Sequence, residues 1–191
     1  MNILIAPDSF KGSLPAVRAA EIIADVILRH DPAARCLLLP QADGGEGTVD
    51  ALFAALGGRL HLHEVPDPLG RPVQARWLQL PGGSALIEAS SCVGYTLLRE
   101  EDRDPRLLHS DGLGLLLGHL YARGFTRVYC GLGGTATNDA GYGMARALGA
   151  AIHIGTVAPD SVRAALGTVE SIDRPPDHDV EVIGLADVIN P

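Results

Sequence analysis

The chain has 191 residues, 47% of them apolar and 20% charged, and a formal charge of −8. That balance fills a core and argues against a nucleic-acid partner, which wants a basic face. Three cysteines, Cys36, Cys92 and Cys130, are too few and too scattered for a disulfide framework or a zinc site, so they read as small buried hydrophobes. No apolar run reaches membrane-spanning length and no leader pattern opens the chain, so the expected setting is the reducing cytoplasm.

"NILIAPD" (2–8) is a continuous apolar run, the pattern of a strand buried on both faces. A helix follows, with Ser13 as its expected cap, Pro15 in its first turn, and an apolar stripe of Val17, Ala20, Ile23, Ala24 and Ile27. "RCLLLP" (35–40) reads as a second buried strand, and "GTVDALFAALGG" (47–58) as a second helix ended by its glycines. Strand–helix–strand–helix order predicts a parallel sheet with right-handed crossovers. "RLHLHEV" (59–65) and "PVQARWLQL" (72–80) alternate apolar and polar residues and predict half-exposed antiparallel strands. The "PDPLGRP" turn between them is the expected domain boundary: residues 1–66 form one α/β lobe and 67–191 a second. Further on, "SALIEASS", "TRVYCGLG" and "VEVIGLAD" predict strands, "GLGLLLGHLYARG" and "GYGMARALGA" helices, with one short helix around Ser161–Leu166. The fold class is α/β, two lobes facing a cleft.

Several strands end in polar or glycine-rich turns, where open α/β sheets gather ligands. In "CGLGGTATND" (130–139), Gly131, Gly133 and Gly134 let backbone N–H groups approach an anion, with Thr135, Thr137 and Asn138 as neutral donors; the simpler reading is a tight turn with Asn138 as a cap. Gly131-x-Gly133-x-x-Ala136 also fits a dinucleotide fingerprint, but "AAIHIG" (150–155) lacks the acid that fingerprint needs. "GLGLLLG" (112–118) is a poorer decoy inside a helix, and no P-loop pattern occurs. In "QADGGEGT" (41–48), Asp43 and Glu46 flank Gly44 and Gly45; they suit Mg²⁺, Asp43 could instead take a hydroxyl proton, or Glu46 could simply favour the helix dipole. "IAPDSFKGS" (5–13) brings Asp8, Ser9 and Lys11 to a strand tip, where Lys11 offers one point charge to a phosphate or carboxylate. Asp139 and Asp187 add two more strand-end acids, while His61-x-His63 reads as structural. A phosphate cradle, a lysine and several carboxylates make an inventory for phosphoryl transfer to a small hydroxy acid.

Six motifs, "IAPDSFKGS", "ADGGEGT", "DPLGRPV", "LIEASSCVGYTLL", "GGTATNDAGYGM" and "ADVINP", stand in the order and approximate spacing of the bacterial glycerate kinase family, which this chain resembles. The resemblance implies ATP-dependent phosphorylation of D-glycerate, usually at the 2-hydroxyl, with Mg²⁺. It also implies two α/β domains across a cleft, one of them flavodoxin-like and inserted into the other. On that pattern Lys11 neutralises an anion and Asp43 or Asp187 accepts the hydroxyl proton. Glu46 and Asp139 hold the metal. Asp8, Ser9, Gly44, Gly45, Gly133, Gly134, Thr135, Asn138 and Asn190 line the substrate and phosphate site. Family members are about twice this length, and "HSDGLG" (109–114) stands where the pattern has a threonine-rich stretch. The expectation is therefore an N-terminal half with some apolar faces uncovered. It is either a kinase polypeptide or a non-catalytic remnant or subunit, which self-associates or pairs with a complementary C-terminal chain.

Overall fold

The computed structural model describes residues 1–155, 166–174 and 179–187. The short helix expected around Ser161–Leu166 and the site residue Asn190 fall on or mostly on residues outside this set. The architecture is mixed α/β, as expected.

The chain begins with β1 (Asn2–Ile5), α1 (Ala16–His30) and β2 (Arg35–Leu38). β1 and β2 pair in parallel, Asn2 opposite Arg35 through Ile5 opposite Leu38. Pro15 stands at the helix start with φ −62° and ψ 148°, and no side chain caps it. Ser13 is thus not the cap: its N–H bonds the carbonyl of Phe10 (2.8 Å) inside a preceding turn. Arg29 and His30 occupy the last turn of α1, where positive charge suits the dipole. Ile5, Ala20 and Ala24 are buried in a small core, with Ile3, Ile27, Cys36 and Leu38 packed around them. The other face of the β1–β2 pair is bare: Leu4 is 59% and Leu37 65% exposed.

α2 (Thr48–Leu56) then leads to β3 (Arg59–Pro66), β4 (Pro72–Gln79) and β5 (Ala85–Glu88). After the short α3 (Ser90–Val93) come α4 (Asp111–Ala122), β6 (Arg127–Gly131), α5 (Tyr142–Ala147), the small β7 (Ile152–Ile154) and β8 (Val169–Ile172) pair, and β9 (Glu181–Leu185). Five strands form one sheet in the order β3-β4-β5-β6-β9. β3, β4 and β5 run antiparallel, and β5, β6 and β9 run parallel. The turn at 66–72 lies inside the β3–β4 hairpin, whose register runs unbroken from Arg59–Gln79 to Pro66–Pro72. β3 shares its sheet with β4, while β1 and β2 form a separate two-stranded sheet.

The central strands of the sheet are covered on both faces, while Leu62 on β3 and Val182 on β9, the two edge strands, are 63% and 45% exposed. On one face, Trp77, Ile87, Cys92, Leu116, Leu120 and Val128 belong to the main core beneath α3 and α4. On the other, Val49 and Leu52 of α2 meet Leu78, Leu86, Tyr129 and Leu185. Trp77 is 1% exposed, stacked on His61 (4.1 Å between centroids) and edge-on to Phe125 (5.4 Å). The glycines of "GLGLLLG" serve packing in α4: a side chain on Gly112 would strike the Pro66 carbonyl, and one on Gly114 would strike α5 at Met144. Burial pushes the Cys92 thiol up to about 12 and the Cys130 thiol up to about 11, so both are inert core groups.

Candidate functional site

Parallel strands that start on one edge must end on the opposite one, so their carboxyl ends collect loops. Here three loops meet by backbone contact. The turn after β6 reaches the loop before α2 through the Gly133 N–H, which donates to the Gly44 carbonyl (3.1 Å). It reaches the end of β9 through the Leu132 N–H, which donates to the Leu185 carbonyl (3.0 Å). The approach is close enough to require glycine. Gly44 has φ +86° and a side chain there would strike the Leu185 carbonyl; one on Gly131 would strike Gly44, and one on Gly133 would strike Gly45.

Asp43 introduces this junction, and its Oδ1 accepts the Gly45 N–H (2.8 Å) in a local turn. A hollow of about 510 Å³ opens beside it, bordered by Gln41, Asp43, Gly44, Thr48 and Asp187 at its polar end, with Leu52 and Leu56 among its apolar walls. Asp43 is half-buried and Asp187 exposed, so both carboxylates are reachable from solvent. Glu46 is exposed one residue past Gly45. The segment after β1 runs alongside: the Leu39 N–H donates to Ile5 (2.8 Å) and the Gln41 N–H to Pro7 (2.9 Å). These bonds bring Asp8 and Ser9 to the same end of the molecule as Asp43. The Asp8 carboxylate accepts the Ser9 N–H (2.6 Å). Lys11 is exposed on a turn closed by Phe10 and Leu14, and it does not border the hollow.

The far side of the glycine turn is docked on the segment after α3. The Tyr95 N–H donates to Gly134 (3.0 Å) and the Ala136 N–H to Val93 (2.8 Å), with Thr135 bridged to Gly94. Gly134, Thr135 and Asn138 are exposed, and none borders the hollow. Asp139 is employed differently from a solvent-facing ligand. It is 2% exposed, and its Oδ2 accepts the Ser110 N–H (2.9 Å), the Ser110 hydroxyl (2.7 Å) and the Gly143 N–H (3.0 Å). Its Oδ1 accepts the Gly141 N–H (3.1 Å), so the carboxylate caps the start of α5 and ties it to α4.

Glu88, which sequence reasoning passed over, lies at the tip of β5 against this junction. It is 9% exposed and its Oε1 accepts the Val49 N–H (2.6 Å). Burial pushes its carboxyl above the usual range, opposed by the Val49 and Gly47 N–H groups and by Arg76. The signal was present: an acid closing a strand, "ALIE", whose four residues are all buried.

The family model described as the glycerate kinase family matches residues 3–191, a span that includes every loop described above. The chain belongs to the glycerate kinase family. It is 43% identical over 151 residues to glycerate 2-kinase of Escherichia coli (strain K12), covering 78% of this chain and 40% of that protein. It is 36% identical over 198 residues to glycerate kinase of Neisseria meningitidis, covering 100% of this chain and 53% of the relative. A crystal structure from Salmonella typhimurium LT2, described as glycerate kinase 2, matches with a TM-score of 0.84 and 38% identity, over 100% of this chain and 53% of its own. The chain thus spans about half the length of these relatives. No helix among the described residues is long and apolar enough to cross a membrane.

Proposed function

We propose that this glycerate kinase family chain supplies the strand-end loops of an enzyme that phosphorylates D-glycerate from ATP, giving 2-phosphoglycerate in the cytoplasm. The observation that carries the reading is the backbone meeting of Gly44–Gly45, Gly131–Gly133 and Leu185, beside a hollow that Asp43, Gly44, Leu185 and Asp187 border. The relatives named above carry glycerate kinase names, which supplies the substrate class.

In this reading Asp43 or Asp187 holds the acceptor hydroxyl and takes its proton. Gly44, Gly45, Gly133 and Gly134 offer backbone close to an anion, with Thr135, Asn138 and Asn190 at its margin. Asp8 and Ser9 line the entry, and Lys11 brings one positive charge to a phosphate or to the glycerate carboxylate. Asp43 and Glu46 would offer Mg²⁺ carboxylate oxygens from half-buried and exposed positions of one loop. Among the described residues no group of three or more acids, histidines or cysteines could hold a metal alone. The rest of the shell would come from water and nucleotide phosphates. When bound, Mg²⁺ would neutralise phosphate charge. Asp139 drops out of the proposed metal set, because its oxygens already accept four hydrogen bonds.

A coupled ADP-release assay with D-glycerate and ATP, with and without Mg²⁺, tests the activity. Metal-dependent turnover supports it, and absence of turnover in the 191-residue chain overturns it for this polypeptide. A second reading rests on the bare face of β1–β2, with Leu4 and Leu37 exposed: the chain binds ligand or a partner without catalysis, as a homo-oligomer or beside a complementary C-terminal chain. It predicts a larger species by light scattering together with no turnover.

A further inference from the structure

Glu88 does something that neither the family match nor the predicted site assigns. α2 begins at Gly47, which has φ 96° and no side chain to cap the helix. The first turn of a helix leaves N–H groups without partners. The Val49 N–H is taken by Glu88, 39 positions along the chain and on a different element. The loop that precedes this helix is the one carrying Asp43 and Glu46. Its other ends are fixed within the loop, by Thr48 Oγ1 donating to the Gly45 carbonyl (2.8 Å), and against the β6 turn, by Gly133 donating to Gly44. Glu88 is therefore the backbone tie from the sheet to the helix start behind that loop, beside the packing of Val49 on Leu78 and Leu86. It is itself seated: the carbonyl of Glu88 accepts the Ser91 hydroxyl (2.7 Å), and the Arg76–Asp50 pair lies nearby, Asp50 opposing its charge and Arg76 favouring it.

We infer that Glu88 is a positioning residue: by capping α2 from the tip of β5 it sets the place of the Asp43–Glu46 loop against the Gly131–Gly133 turn. The inference rests on the proposed reaction only for its consequence in turnover; the placement itself is a property of the chain. A carboxylate buried merely for stability would, when removed, weaken the sheet as a whole. A positioning carboxylate loosens the junction first.

The test is amide hydrogen exchange on the full 191-residue chain and on Glu88→Ala and Glu88→Gln, read together with D-glycerate turnover. Gln keeps an acceptor oxygen for the cap, and Ala does not. In Glu88→Ala the Val49 and Gly133 amides should exchange about tenfold faster, while Ile87 and Val128 in the sheet stay within about threefold of the parent. Glu88→Gln should restore most of the protection. If the parent turns over D-glycerate, Glu88→Ala should lower kcat more than it raises KM, and Glu88→Gln should recover it. Faster exchange at Ile87 and Val128 to the same degree as at Gly133, failure of Glu88→Ala to fold while Glu88→Gln leaves Gly133 unprotected, or no change at Gly133 would each overturn the inference. A parent without turnover defeats the proposed activity and leaves the exchange pattern to decide the placement.

Discussion

The β1–α1–β2 unit and the five-stranded sheet differ in cover: among the described residues α1 packs on one face of the first, while the central strands of the second are packed on both. Leu78 and Leu86 in the sheet are 0% and 1% exposed, because α2 covers their face. Leu4 and Leu37 are 59% and 65% exposed, because nothing described covers theirs. Along α1, Ile22, Ile23 and Val26 are also 40%, 41% and 48% exposed. The difference teaches that strand hydrophobicity marks where a layer is wanted, not where the chain supplies one. The Asp43 loop straddles the two units: one flank is tied to the β1–α1–β2 unit through Gln41 and Pro7, and the other to the sheet through Gly133 and Glu88.

Paired truncations break or sharpen this contrast most strongly. Leu86→Ala should cost about 2–5 kcal/mol, because it removes a fully enclosed side chain. The single tryptophan of the chain, Trp77, lies in the sheet core, so its fluorescence during urea unfolding reads that cost. Next is Gly44→Ala, which forces φ +86° on alanine and drives its side chain into Leu185; a loss of about 2–4 kcal/mol is expected in the same measurement. A loss below about 0.5 kcal/mol would mean the three loops are not clamped together.

A smaller effect comes from pH. His119 on α4 stacks on His63 (3.7 Å), and burial, then His63, Arg123 and His61, hold its pKa below the usual 6.5. The unfolded chain therefore takes up the proton first as pH falls. The stability contribution is complete above about pH 6.5 and is lost below it, towards the folded-state value. Urea midpoints at pH 7.5 and 5.5 should differ in that direction, and His119→Phe should flatten the difference. The smallest effect belongs to the β1–α1–β2 unit: Leu37→Ala should change stability by no more than about 0.5 kcal/mol. The β1 and β2 amides should exchange faster than those of β5 and β6.

The sequence made the β1–α1–β2–α2 order and the parallel β1–β2 and antiparallel β3–β4 pairings legible, because periodicity reports which faces want cover, but not α3 or the β7–β8 pair. It misread what is long-range. "NILIAPD" has the pattern of a strand covered on both sides, yet α1 covers only one; a periodicity cannot say whether the second layer is at hand. The "PDPLGRP" turn joins β3 to β4 within one hairpin, a pairing that turn composition by itself does not reveal. Ser13 satisfies every local rule for a cap, yet the chain starts the helix at Pro15. Asp139 and Glu88 show the same limit in the site: both are carboxylates whose partners, Ser110 and Val49, are 29 and 39 positions away. The close meeting of Gly44 with Gly131 and Gly133 was foreshadowed by glycines in both motifs, since backbone can touch backbone only where side chains are absent.

The most direct measurement is an NMR titration of the 191-residue chain with D-glycerate and, separately, with MgATP, following backbone amides. Shifts concentrated at Gly44, Gly45, Gly133, Gly134 and Asp187 are predicted for at least one of the two ligands. Shifts confined to the β1–β2 face or the β3–β4 hairpin, or none at millimolar ligand, would contradict a shared site at the strand ends.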